Sequence, residues 1–149
     1  MRKTELLIAL DPGLTTGVAA YEATHEQRPS ANEMPFGELV RALESWAGLY
    51  GDYDVHVVCE RYNISERTTK LTRQYDALHV IGAVRSLADR RDNVTLEKLQ
   101  TPFDAKEFAT NARLKAAGWY RPGLGHANDA LRHLMLWMVR TGRMEAPRA

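Results

Sequence analysis

The chain has 149 residues, 44% of them apolar and 26% charged, with a formal net charge of +1. That profile fits one soluble globular domain over residues 1–149, and it excludes a disordered tail or a general polycation. The charge is unevenly spread. Residues 22–54 carry seven acids (Glu22, Glu26, Glu33, Glu38, Glu44, Asp52, Asp54) against Arg28 and Arg41, a net of −5. Residues 61–149 carry 16 Lys and Arg against 9 Asp and Glu, a net of +7, so the second half points to an anionic partner.

A single cysteine, Cys59, leaves no intramolecular disulfide and no cysteine-based zinc site, which suits a reducing cytoplasm. Met1-Arg2-Lys3 has the charge of a secretory leader, but the apolar stretch 6–10 is too short and runs into Asp11-Pro12-Gly13. No apolar run approaches the ~20 residues that span a bilayer. A soluble, cytoplasmic protein is expected.

In chain order, residues 6–10 read as a buried strand stopped by Asp-Pro-Gly, and residues 16–21 as its hairpin partner. Residues 22–37 read as a polar loop with a third, edge strand. Leu39, Leu43, Trp46, Leu49 and Tyr50 recur at helical spacing over 38–50. Residues 55–59 read as a central strand ending at Glu60. Over 65–91, Leu71, Tyr75, Leu78, Val80, Ile81, Val84 and Leu87 cover about two-thirds of a helix circumference, against the ~100° that one core contact needs. Such a helix is expected to bury its second face on another subunit. Residues 94–96 make a short strand, and Thr101-Pro102 with Asp104 opens a helix expected to run to about 117. After a loop at 118–125, a last helix over 126–141 turns Leu131, Leu134, Met135, Met138 and Val139 inward and stops at Gly142. The Trp119-Tyr120 pair and Trp137 read as packing. The order β-β-β-α-β-α-β-α-α is that of an α/β domain with a mixed sheet.

Four groups sit where elements end, the usual place for chemistry on a rigid scaffold. Asp11 and Glu60 each close a strand, and His126 and Asp129 share the first turn of the last helix. Taken singly, each has a simpler reading: a turn, an exposed strand end, a polar loop residue, and an acid favoured by a helix N-terminus. Taken together, they converge if the two strands are neighbours and the last helix packs across their ends. Three clustered carboxylates repel one another unless divalent cations occupy the site. Carboxylates with water suit Mg²⁺, and an imidazole widens the choice to Mn²⁺. Two such ions can drive phosphodiester hydrolysis, with the basic half holding the substrate.

Residues 8–19, Ile-Ala-Leu-Asp-Pro-Gly-Leu-Thr-Thr-Gly-Val-Ala, resemble the first strand and turn of RuvC-type Holliday junction resolvases in the ribonuclease H-like superfamily. Val57-Val58-Cys59-Glu60-Arg61 resembles the strand carrying that family's glutamate. Gly125-His126-Ala127-Asn128-Asp129-Ala130-Leu131-Arg132 resembles its C-terminal motif, in the variant with His for the first Asp. The resemblance covers nearly the whole chain in the right order. It implies a ribonuclease H-like mixed five-stranded sheet flanked by helices, with Asp11, Glu60, His126 and Asp129 as catalytic, metal-binding residues for two Mg²⁺ or Mn²⁺ ions. It further implies a homodimer that nicks four-way junctions and other branched DNA in recombination and repair. DNA contacts are expected from Arg61, Tyr62, Arg67, Lys70, Arg73, Lys98 and Lys106, with Tyr62 stacking on unpaired bases. Arg132 and His133 fall close enough to Asp129 to support the ligands. The short chain suits a compact, bacteriophage-type member.

Three rivals stand beside this. Actin-like ATPases and sugar kinases share an Asp-x-Gly-Thr-Thr-Gly loop but need two such domains to enclose a nucleotide. A ribosomal-RNA-processing nuclease of the same superfamily would differ only in substrate. A non-catalytic DNA-binding module has no reason to set carboxylates beside phosphate.

Overall fold

Leu6 to Leu10 are all at most 4% exposed, which only a central strand covered on both faces achieves. The computed structural model describes residues 4–24, 28–62 and 75–149. β1 (Glu5–Asp11) pairs antiparallel with β2 (Thr15–Glu22), and β2 pairs antiparallel with the edge strand β3 (Ser30–Pro35). After α1 (Phe36–Leu49), β4 (Asp54–Cys59) returns parallel to β1, and β5 (Val94–Leu96) lies parallel to β4. The sheet order is β3-β2-β1-β4-β5. All three expected hairpin and edge strands are present.

The alternation of side chains along a strand divides the core in two. Leu6, Ile8 and Leu10, with Val55, Val57 and Cys59, face α1 and α2 (Tyr75–Arg90) through Leu39, Leu43, Val80, Val84 and Leu87. Leu7, Ala9 and Val58 face α5 (Gly125–Arg140) through Ala130, Leu131, Leu134 and Met138. By the same alternation Asp11 and Glu60 fall on the α5 face. Trp119 and Trp137 are buried there, as expected of packing residues, whereas Val139 is only half-buried.

The described part of α2 buries Ala77, Val80, Val84 and Leu87, while Leu78 and Ile81 are half-buried and Tyr75 is exposed. The expected helix start at 65, with Leu71, lies outside the described residues.

The helix expected over 101–117 is two helices. α3 (Pro102–Phe108) is capped by the Thr101 hydroxyl, which accepts from the Asp104 amide at 3.2 Å. The chain leaves the helix at Ala109, and the Thr110 hydroxyl caps α4 (Asn111–Ala116) by accepting from the Arg113 amide at 3.2 Å. A threonine gains more from a cap than from a helix interior. The break also frees the Ala109 carbonyl, which accepts from Arg132 Nη1 at 2.6 Å. Thr110→Ala is expected to cost about 1 kcal/mol in urea unfolding, and a loss below about a third of that would mean the cap contributes nothing.

α5 ends as the sequence indicates. Gly142 takes φ +72°, its amide donates to Val139 O and the Arg143 amide donates to Met138 O, the paired bonds of a Schellman stop. Arg143 then forks onto both carboxylate oxygens of Glu5 at 3.0 and 2.7 Å, tying the end of the last helix to the start of β1. No helix among the described residues is long and apolar enough to cross a membrane.

Candidate functional site

The register of the sheet aligns a single row of residues at the upper end of its strands. Asp11 pairs with Gly17, and Gly17 pairs with Glu33. On the other side Glu60 donates its amide to Leu10 O and forms an isolated parallel bridge with Gln100. The row therefore reads Gln100, Glu60, Asp11, Gly17, Glu33 across the sheet. α5 lies over it, packed on β1 and β2. The condition set by the sequence is met: the two strands are neighbours and the last helix crosses their ends.

His126 is seated on the row from three sides. Its Nδ1 lies 3.0 Å from Asp11 Oδ2, and its backbone amide donates to Glu33 Oε1 at 3.0 Å. Its carbonyl sits over Gly17, where an added Cβ would come within 1.8 Å of it. α5 has no side-chain cap of its own, since Leu124 stands at the N-cap. Glu33 supplies the missing acceptor from a strand 93 residues away in sequence. It also receives the Ala127 amide at 3.4 Å.

Each remaining carboxylate has a partner as well. Glu60 Oε2 accepts from His133 Nε2 at 2.8 Å, and His133 Nδ1 meets Gln100 Oε1 at 2.9 Å. Asp129 accepts from Arg132 Nε at 3.2 Å and has Lys106 Nζ at 3.9 Å. Arg132 also reaches Ala109 O and Asn111 Oδ1, so it anchors Asp129 to the break between α3 and α4. Arg132 lies against Asp129, as the spacing suggests, whereas His133 lies against Glu60.

Asp11, Glu60, His126 and Asp129 all border one cavity of about 570 Å³, with Leu14, Tyr62, Asp76 and Lys106. Burial first, then the charges of Glu60 and Asp129, push the Asp11 carboxyl up to about 6 despite its bond to His126. The Asp11 bond in turn raises His126 above the ordinary imidazole range. Asp11 therefore lies within electrostatic reach of both Glu60 and Asp129. Among the described residues no three His, Cys, Asp or Glu side chains converge as a ready ligand set; Asp11, Glu60 and Asp129 are each bonded to a partner within the protein. The donor types, three carboxylates and an imidazole, nevertheless suit a hard or borderline divalent cation.

Of the expected DNA contacts, Tyr62 and Lys106 line the cavity, while Arg61 and Lys98 are exposed without bordering it. Arg67, Lys70 and Arg73 lie outside the described residues. Sequence reading passed over Glu33, Gln100 and Asp76. Only Glu33 left a signal there: a helix start without Ser, Thr, Asp or Asn at the cap needs an acceptor from elsewhere.

No protein-family model matches the chain, and no curated protein matches it. Among solved structures, T. thermophilus RuvC in complex with Holliday junction substrate shares 18% identity and a TM-score of 0.63, over 93% of this chain and 96% of that one. Together with the strand order and the helices on both faces, this likeness shows the fold to be ribonuclease H-like: an α/β domain with a mixed five-stranded sheet.

Proposed function

We propose that the chain is a divalent-metal-dependent endonuclease that hydrolyses phosphodiester bonds in four-way junctions and other branched DNA, acting as a homodimer. One observation carries the reading. On a ribonuclease H-like fold, Asp11, Glu60, His126 and Asp129 border a single cavity in which Asp11 is pushed up first by burial and then by Glu60 and Asp129. The solved neighbour is itself in complex with a Holliday junction substrate. The basic balance of residues 61–149 suits a polyanion.

In this reading the three carboxylates and His126 would hold Mg²⁺ or Mn²⁺. Two such ions supply an activated water and stabilise the leaving oxygen of a phosphodiester. Asp11 and Glu60 act from adjacent strand ends, so the sheet fixes their separation. Asp129 enters from α5, and Arg132 holds it there. Lys106, 60% exposed and at the rim beside Asp129, is placed to meet a phosphate. Tyr62 offers a ring at the same cavity for a base unstacked at a branch. The face of α2 bearing Tyr75, Leu78 and Ile81, which the described residues leave partly open, is the surface assigned to the second subunit.

The test uses a labelled four-way junction, a linear duplex of the same sequence and a structured RNA, each with Mg²⁺, Mn²⁺ or EDTA. The expected result is metal-dependent cutting of the junction, with duplex and RNA intact while the junction is consumed. Equal cutting of linear duplex sinks the branch preference, preferential cutting of RNA moves the substrate to RNA, and cutting in EDTA sinks the metal mechanism.

A further inference from the structure

α5 supplies a partner for each of the three expected carboxylates: His126 for Asp11, Arg132 for Asp129 and His133 for Glu60. His133 differs from the other two in being buried, at 1% exposure, on a helix face it shares with the buried apolar residues Ala130 and Trp137. An imidazole in such a place costs free energy unless both ring nitrogens are bonded, and an apolar side chain would fill the space without that cost. Both nitrogens of His133 are bonded, and both bonds lead to Glu60. Nε2 donates to Glu60 Oε2 directly. Nδ1 lies 2.9 Å from Oε1 of the Gln100 side chain, and a half-turn of that amide about its terminal bond would present its NH₂ instead. Gln100 is itself fixed to Glu60's strand: its amide donates to Cys59 O at 3.1 Å, and its carbonyl accepts from the Arg61 amide at 2.6 Å.

The chain Gln100–His133–Glu60 is thus closed on both sides of the ligand by backbone bonds. It occupies Oε2 and leaves Oε1 as the glutamate oxygen without this partner. We infer that His133, locked by Gln100, is a positioning residue that fixes the Glu60 carboxylate as a one-oxygen ligand for the divalent cation. This inference rests on the metal-dependent reading above and goes beyond it by assigning how one ligand is oriented.

The experiment measures Mn²⁺ binding by isothermal titration calorimetry on the intact protein, alongside thermal unfolding in EDTA and in excess Mn²⁺. His133→Leu removes the donor at similar volume, and it is expected to bind Mn²⁺ about 10–100-fold more weakly than wild type. His133→Gln, whose terminal amide can replace Nε2 as donor, is expected to recover most of that loss. Gln100→Leu frees Nδ1 without touching Glu60's own bond and keeps the test open if His133→Leu does not fold; it is expected to weaken binding by a smaller factor. A purely structural role would lower the melting temperature in EDTA and leave Mn²⁺ affinity unchanged in folded His133→Leu or Gln100→Leu, which overturns the inference alone. Wild type that binds no Mn²⁺, or Asp11→Asn that binds it as tightly as wild type, overturns the metal reading and this inference with it.

Discussion

Gly17→Ala is expected to destabilise the protein by about 3–4 kcal/mol, near the upper end for a single added methyl group. The new Cβ would stand 1.8 Å from His126 O, 2.3 Å from its carbonyl carbon and 2.9 Å from Ala127 N. All three are backbone atoms, so no side-chain rotation relieves the overlap. β2 cannot recede, because it is hydrogen-bonded to β1 and β3 on both edges. The start of α5 must therefore lift, although Glu33 holds its first amides and Ala127, Ala130 and Leu131 pack fully buried beneath it. Lifting α5 also carries His126 away from Asp11, so a surviving folded fraction should lose activity as well. Gly82→Ala is the control: nothing lies within 4 Å of its added Cβ, and an exposed helical glycine replaced by alanine should gain up to about 1 kcal/mol. Urea unfolding of both variants decides the matter. A Gly17→Ala midpoint close to that of wild type would mean the helix does not rest on that glycine.

Gly17 also marks where the sequence stops being informative. Its place in the Thr-Thr-Gly-Val run identified a strand, and the resemblance matched the run to a motif, but nothing local says which element presses on it. That depends on the row Asp11–Gly17–Glu33, which exists only once the register of three strands is set. The strands themselves were legible because their signals are local: a buried apolar run stopped by Asp-Pro-Gly, and a β-branched run stopped by Glu60. His126, Asp129 and His133 were legible for a similar reason. Spacings of three and four residues put them on neighbouring turns of one helix whichever way that helix packs. Glu33 and Gln100 were not, since each earns its place through a partner more than 30 residues distant. The single helix expected over 101–117 failed because Thr110 has two local uses. As a cap it satisfies an amide of α4 and leaves the Ala109 carbonyl free for Arg132, which ties the break to the site.

Asp11→Asn should separate activity from stability, lowering the first and raising the second. Under the proposed metal-dependent reading, loss of the Asp11 carboxylate is expected to reduce junction cleavage by about 10³-fold or more, equivalent to about 4 kcal/mol of barrier. The stability change follows from linkage. The folded-state pKa of Asp11 is raised from 3.8 to about 6, chiefly by burial and then by Glu60. Between those values the folded protein binds a proton that the unfolded chain does not, so Asp11's contribution to stability falls as pH rises through that window. Above about pH 6 its cost is complete, at most roughly 3 kcal/mol by the size of the shift. His126 has the same sign: its pKa is raised by Asp11, so what it contributes is present below about 6.5 and is lost as pH rises through the folded value. Asparagine cannot ionise, and it feels neither Glu60 nor Asp129 as a like charge. The variant should therefore be more stable than wild type by roughly 1–3 kcal/mol at pH 8 in EDTA, with the lower figure reflecting the weakened bond to His126. The gain should shrink as pH falls towards 4, where Asp11 is protonated in the folded protein and is beginning to be protonated in the unfolded chain as well. Excess Mg²⁺ should reverse the order at pH 8, because a cation that binds only the folded wild type stabilises it by mass action. Urea unfolding at pH 4, 6 and 8, with and without Mg²⁺, reads all of these together. An Asp11→Asn protein less stable than wild type at pH 8 in EDTA would show that the carboxylates do not strain one another, and the case for a metal at this cavity would lose its electrostatic basis.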